Sequence, residues 1–196
     1  MTEYSIEDYV TDIRLVVKEE TDEGKIIDRI KPLSKKIAAN KSWVKSEYFN
    51  VDKEQGFGLH LLHEEKDHSL AVFAIAWAPG EGLAPHNHKT WAVVAGIQGQ
   101  EHETSYKRID DGTTDGFADL VKTNEETIYA GDATCCLPED IHSVWNNGRE
   151  IALSKHTYGK HLNHTGRSIF DITQKTETPC IVKVQNELSF IRTVLP

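Results

Sequence analysis

No apolar run in this 196-residue chain approaches the ~20 residues needed to cross a bilayer, and no secretory signal is expected at either end. Basic residues are in the minority: 22 lysines and arginines face 31 aspartates and glutamates, for a formal charge of −9. An acidic chain repels phosphate backbones and anionic headgroups, which excludes nucleic acid and membrane as main partners. Cysteine is scarce and odd in number, three in all, with Cys135 and Cys136 adjacent. That excludes a disulfide framework and points to a reducing, cytoplasmic setting, with both residues read as ordinary strand residues. Internal repeats and low-complexity segments are missing too. The sequons at Asn40 and Asn163 then read as chance matches.

What is present divides into two textures. In the first 45 residues, Ile6, Val10, Ile13 and Val17 recur at helical spacing behind a Ser5/Asp8 capping box. Gly24 interrupts the pattern. Ile26, Ile27, Ile30, Leu33 and Ile37 then predict a second helix, which starts near Pro32 or is split there. From about residue 47, short apolar or alternating runs predict strands at 57–63, 69–78, 91–98, 101–109, 127–130, 133–137, 141–145, 151–158, 168–172 and 180–184. Turn formers such as Pro79-Gly80 and Asn146-Asn147-Gly148 separate them. Ten strands without helices between them predict a mostly β sandwich or barrel rather than a parallel α/β sheet. The expected organisation is one domain over 1–196, with helices over 1–45 packed outside a barrel over 46–190.

Gly80 to Gly99 carries the first chemical signal. His86 and His88, one residue apart on a strand, point to one face and suit two ligands of one metal ion. With Gly80 before them, Ala92 and Gly99 after them, every spacing of the first cupin motif is met, and alanine stands where the motif has glutamate. Pro138, His142 and Asn146 resemble the second cupin motif, which makes His142 the candidate third ligand on another strand. The chain therefore resembles cupins, whose jelly-roll barrel, the double-stranded β-helix, buries a metal or small-molecule site. Three neutral imidazoles leave a divalent ion its full charge and suit an anionic substrate that ligates the metal. The same trio also suits zinc and an activated water.

Ser154, His156 and Tyr158 alternate along one strand and share a face. No acidic residue orients the histidine and no nucleophile elbow is present, so a hydrolase triad fits poorly. Together with the three histidines, this Ser-x-His-x-Tyr pattern is similar to the cysteine dioxygenase family of thiol dioxygenases, above all the bacterial 3-mercaptopropionate dioxygenases. The similarity covers roughly residues 57–170 and includes Arg167. It implies an Fe(II) site at His86, His88 and His142, a Ser154-His156-Tyr158 relay, and Arg167 on the substrate carboxylate. It also implies an oxidoreductase that adds both atoms of O2 to a small carboxylated thiol, such as cysteine or 3-mercaptopropionate, and yields a sulfinate. The partners are then a small-molecule thiol and O2, with the protein a monomer or small homo-oligomer. Ala92 rules out the cysteine–tyrosine crosslink of the mammalian enzymes. Leu59, with His60 beside it, stands where family members place an arginine or glutamine facing the substrate. The alternatives are another three-histidine cupin dioxygenase of the diketone-cleaving type and a non-catalytic metal-binding cupin.

Overall fold

The computed structural model describes residues 4–186, so the expected barrel limit at 190 lies outside the described residues. Helical spacing of apolar residues yields two N-terminal helices, α1 (Ile6–Glu19) and α2 (Glu23–Ala39). The Ser5/Asp8 capping box forms: Asp8 N–H donates to Ser5 Oγ at 3.1 Å and Ser5 N–H to the Asp8 carboxylate at 3.0 Å. Gly24 does not break a helix. It lies in the first turn of α2, where the Asp22 side chain accepts from Lys25 N–H. Nor does Pro32 split α2. Ile26, Ile30 and Ile37 on either side of it are buried in one cluster with Tyr9 and Ile13 of α1, and that burial offsets the lost backbone bond.

Eleven strands follow among the described residues: β1 (Phe57–Glu64), β2 (Ala71–Trp77), β3 (Gly82–His86), β4 (Ala92–Gln98), β5 (Gln100–Arg108), β6 (Leu120–Tyr129), β7 (Ala133–Cys136), β8 (Ile141–Trp145), β9 (Ala152–Tyr158), β10 (Ser168–Asp171) and β11 (Thr176–Pro179). One sheet runs β1-β2-β9-β4-β7 and the other β11-β10-β3-β8-β5-β6. From β2 to β9 successive strands change sheet except where β5 hairpins into β6, and the inner orders β2-β9-β4-β7 and β3-β8-β5-β6 form a jelly roll. This is the expected cupin architecture.

Two strand expectations are corrected. β6 is longer than 127–130, because it is an outer strand whose charged, mostly exposed residues show no apolar pattern. Residues 180–184 form no strand. Val184 makes only a single bridge to Leu59, and Thr176–Pro179 pairs instead.

Between the sheets lie Phe57, Leu59, Phe73, Ile75, Trp77, Val144 and Tyr158. The helices cover the other face of the first sheet, so β2 and β9 are buried along their whole length. On that covered face Lys155 is fully buried. Its Nζ donates to Ser34 Oγ at 2.8 Å and Thr157 Oγ1 at 2.9 Å and also meets the Tyr9 hydroxyl. Burial, with no carboxylate partner among the described residues, pushes the amine well below its ordinary pKa.

Candidate metal centre and active site

β3 and β8 are antiparallel neighbours, and their register sets His86 opposite His142. β3 ends at His86, so His88 reaches the same point from the following loop, not by strand alternation as the His-x-His spacing implied. That loop is fixed by Lys89, whose backbone adopts φ 53° and whose N–H donates to the Pro138 carbonyl at the entry to β8. The ring centroids of His86, His88 and His142 lie 4.6 to 5.1 Å apart. One ligand atom from each falls within 4.8 Å of the others.

These atoms fit a transition-metal ion. His142 Nε2 and His88 Nε2 are 3.4 Å apart, and two nitrogens at ~2.1 Å from a common ion are separated by about 3.0–3.4 Å. His86 Nδ1–H donates to the Ala84 carbonyl at 2.9 Å, which leaves Nε2 as the lone-pair nitrogen. Burial, with the neighbouring imidazoles and Arg167 adding to it, holds His86 and His88 well below the ordinary histidine pKa. They are therefore neutral, as ligands must be. His142 Nδ1 faces Glu103 Oε2 at 3.7 Å, both side chains being 6% exposed. A ligating imidazole commonly donates its second N–H to such a carboxylate. Ala92 lies on β4 between Cys136 and Tyr158 of the flanking strands, so no carboxylate enters the group from that side.

The motif residues that are not ligands shape the backbone. Gly80 and Gly99 adopt φ of 77° and 72°, which glycine alone tolerates cheaply. Asn146 is fully buried: its Nδ2 donates to the Trp77 and Glu150 carbonyls, and its Oδ1 accepts from Gly148 N–H. It ties β8 to β2 and is no ligand. Asn87, between the two histidines, accepts from Ser168 N–H at 2.8 Å and its own N–H donates to the Ser168 carbonyl. The histidine loop is thereby clamped beside Arg167.

On β9 the alternation places Ser154, His156 and Tyr158 on the inner face as a continuous chain. Ser154 Oγ lies 2.7 Å from His156 Nε2, and His156 Nδ1 lies 2.9 Å from the Tyr158 hydroxyl. The Tyr158 ring packs 5.2 Å from that of His88. Burial pushes the Tyr158 phenol up and the His156 imidazole down, so both are neutral.

A cavity of about 20 Å³ is bounded by the three histidines, His156, Tyr158 and Arg167. A single water needs roughly 10–15 Å³ on the same measure. The rest of its wall is apolar and includes Leu59, Ile75, Trp77, Leu83 and Leu162. Leu59 thus faces the cavity, whereas His60 turns away, its Nε2 2.9 Å from the Asn50 carbonyl. Arg167 is 3% exposed, and its Nε and Nη2 find no hydrogen-bond partner among the described residues. Buried guanidinium donors left open in a cavity are chemically suited to an anion.

The sequence reading missed Glu101 and Glu103. Both are buried on β5, at positions 101 and 103 of a strand whose intervening residues are more exposed. The signal was their period-2 spacing, which reads equally well as a solvated face. A second group, Glu64, His68 and His164, also brings ligand atoms within 4.8 Å. There, however, the His68 and His164 rings stack at 3.6 Å and 9°, so their in-plane lone pairs run parallel and do not converge.

No protein-family model matches the chain. Solved structures similar to it include oxalate oxidase in complex with the substrate analogue glycolate, at 16% identity, covering 57% of this chain and 54% of that one, TM-score 0.45. A cupin_2 domain of an XRE family transcriptional regulator from Enterobacter cloacae shares 17% identity over 53% of this chain and 96% of that chain, TM-score 0.38. An uncharacterized protein with a double-stranded β-helix domain from Klebsiella pneumoniae shares 15% over 67% and 93%, TM-score 0.46. The chain spans about half the length of the oxalate oxidase it matches. The strand order itself establishes a jelly roll, the fold expected of a cupin, and the buried histidine group lies inside it.

Proposed function

We propose that the chain is an iron(II)-dependent thiol dioxygenase that converts a small carboxylated thiol to its sulfinate, RSH + O2 → RSO2⁻ + H⁺. The observation that carries this reading is the Arg167 guanidinium, buried with open donors in the same cavity as three neutral imidazoles and the Tyr158 hydroxyl. Iron bound there supplies the redox partner that O2 requires and the Lewis acidity that favours a thiolate. Arg167 binds the carboxylate through charge-assisted bonds and so sets where the sulfur falls. Tyr158, held by His156 and Ser154, presents a hydroxyl at the reacting end. The apolar wall excludes bulk water.

The cavity also narrows the substrate. Among the described residues no aspartate or glutamate lines it, so an ammonium group has no partner there. Leu59 replaces the polar residue that family resemblance places on this wall. A thiol carboxylate without an amine, of the 3-mercaptopropionate type, fits better than cysteine. A diketone leaves Arg167 without a task.

The test is oxygen uptake by the iron(II)-loaded protein with 3-mercaptopropionate, cysteine and cysteamine. The first should give the highest kcat/KM. Arg167→Ala should lower kcat/KM for the carboxylated thiols by about 10- to 100-fold, the scale of a lost hydrogen bond to a charged group, and leave cysteamine unchanged. An equal effect on all three would remove Arg167 from substrate binding.

A further inference from the structure

The cavity beside the histidines is closed. His86, His88, His142, His156, Tyr158 and Arg167 are each 4% exposed or less. Its volume of about 20 Å³ holds a single water, so a thiol carboxylate does not fit as the walls stand. Some part of the wall must move before any such anion meets Arg167. Most of it is locked into the two sheets. Apart from His88, the lining residues outside strands are Leu162, Arg167 and Val182.

Val182 belongs to a strap, residues 180–186, that leaves the end of β11 and returns over β1. Cys180, Val182 and Val184 are buried in one cluster with Phe57, Leu59 and Leu162, while Ile181, Lys183 and Gln185 between them are exposed. The strap thus alternates like a strand. It has no ladder, and Val184 makes a single isolated bridge to Leu59. Its backbone donates to the barrel at two points, from Cys180 N–H to the Arg167 carbonyl at 3.0 Å and from Gln185 N–H to the Leu59 carbonyl at 2.7 Å. Side-chain amides supply the rest. Asn163, in the short helical turn Leu162–His164, accepts from Val182 N–H at 3.1 Å and donates to the Val182 carbonyl at 2.9 Å. Gln55, ahead of β1, does the same for Lys183 at 2.7 and 3.2 Å. Asn186 of the strap grips the backbone of Leu61 in β1 at 2.8 and 3.0 Å. A carboxamide carries a donor and an acceptor side by side, so each of these clips imitates one backbone partner.

We propose that residues 180–186 are the lid of the cavity, and that a small anion reaches Arg167 when the Gln55 and Asn163 clips release and the strap lifts about its β11 end. A strand inside a sheet opens only with its neighbours. A strap held by separate clips opens locally and leaves both sheets paired. Lifting removes Val182 from the wall on the side where Arg167 presents its open donors. Closing returns Val182 over the bound anion, and exclusion of water strengthens the bonds that Arg167 makes to it. Service of this lid in turnover rests on the thiol dioxygenase reading, whereas its opening does not.

The test is hydrogen exchange of the full zinc(II)-loaded chain, joined to alkylation of Cys180 in the absence of ligand. The Cys180 side chain is on the inner face of the strap, and the residue is 5% exposed. Amides of 180–186 should exchange at least about tenfold faster than those of β2 and β9, through local opening that low urea does not accelerate. Saturating 3-mercaptopropionate should slow them. Gln55→Ala and Asn163→Ala should each raise both the exchange of the strap and the alkylation of Cys180 by about tenfold, the scale of lost neutral hydrogen bonds. The association rate of 3-mercaptopropionate, followed by tryptophan fluorescence because Trp77 lines the cavity, should rise by the same factor. Strap amides that exchange only with those of β2 and β9 would overturn the proposal, as would an association rate unchanged in both variants. Should the variants fail to fold, exchange of the native chain decides alone. Failure of 3-mercaptopropionate to bind would instead sink the functional reading, and exchange and alkylation of the free protein would still decide the lid.

Discussion

At the scale of single residues the proposed function assigns separable tasks, and each has its own readout. His142 sits 3.4 Å, Nε2 to Nε2, from His88 and belongs to the metal group. His142→Ala should release most of the iron at equal added metal, measured by metal analysis after desalting; full occupancy with unchanged turnover would remove it from the ligand set. Tyr158 touches the cavity but not the metal group's lone pairs. Tyr158→Phe should keep the iron and lower kcat by about 10²- to 10⁴-fold, the range for a positioned proton donor; an unaffected kcat would end the relay. The two histidines around Asn87 and the serine, histidine and tyrosine on alternate positions were legible because each group shows in spacing along the chain, whereas Arg167 was reached only through the family resemblance. Glu101 and Glu103 were not legible. A strand with polar residues on both faces does not reveal which face is inside, and the answer lies in its partners β6 and β8.

Among the elements, β9 does two jobs with its two faces. Inward it carries Ser154, His156 and Tyr158, and outward it meets the helices through Lys155 and Thr157. Nothing in the helical pattern of the first 45 residues announced that α1 and α2 would bury a lysine. The amine, Ser34, Tyr9 and Thr157 form one polar knot inside an otherwise apolar contact, with Tyr9 2.7 Å from both Ser34 and Thr157. Because folding pushes the Lys155 pKa down, the unfolded chain holds a proton that the folded chain lacks between the lowered value and the ordinary 10.5. Stability must therefore rise with pH through that window. Lys155→Met should flatten this rise and be at least as stable as the native chain near neutral pH, because the three hydroxyls still bond to one another. Urea unfolding across the alkaline range checks it, and a retained slope would locate the titration elsewhere. The elements that sequence reading misjudged share one cause, since tertiary partners decided them. Pro32 stays in α2 because both flanks are buried, and β6 extends because β5 offers it a full-length partner.

For the molecule as a whole, the jelly roll explains how residues from 86 to 167 reach one cavity. β3 and β8 supply metal-group histidines from one sheet, β9 supplies the relay from the other, and the segment before β10 brings Arg167 to the opening between them. The barrel alone does not determine the chemistry, since one fold carries many functions. The buried Arg167, with Nε and Nη2 unpartnered among the described residues, is a local exception inside an acidic molecule. Among the described residues no helix is long and apolar enough to cross a membrane, and the cysteines Cys135, Cys136 and Cys180 are free thiols. The architecture was therefore legible from turn spacing and the two histidine motifs, while most of the cavity's apolar wall, including Ile75, Trp77, Leu83 and Leu162, became visible only in the structure. The most direct measurement is anaerobic loading with iron(II), followed by 3-mercaptopropionate and isotopically labelled O2, with mass analysis of the product. One O2 should be consumed per sulfinate, with both labelled atoms in that sulfinate. Iron bound in full with no thiol-dependent oxygen uptake, or disulfide as the only product, would contradict the thiol dioxygenase reading.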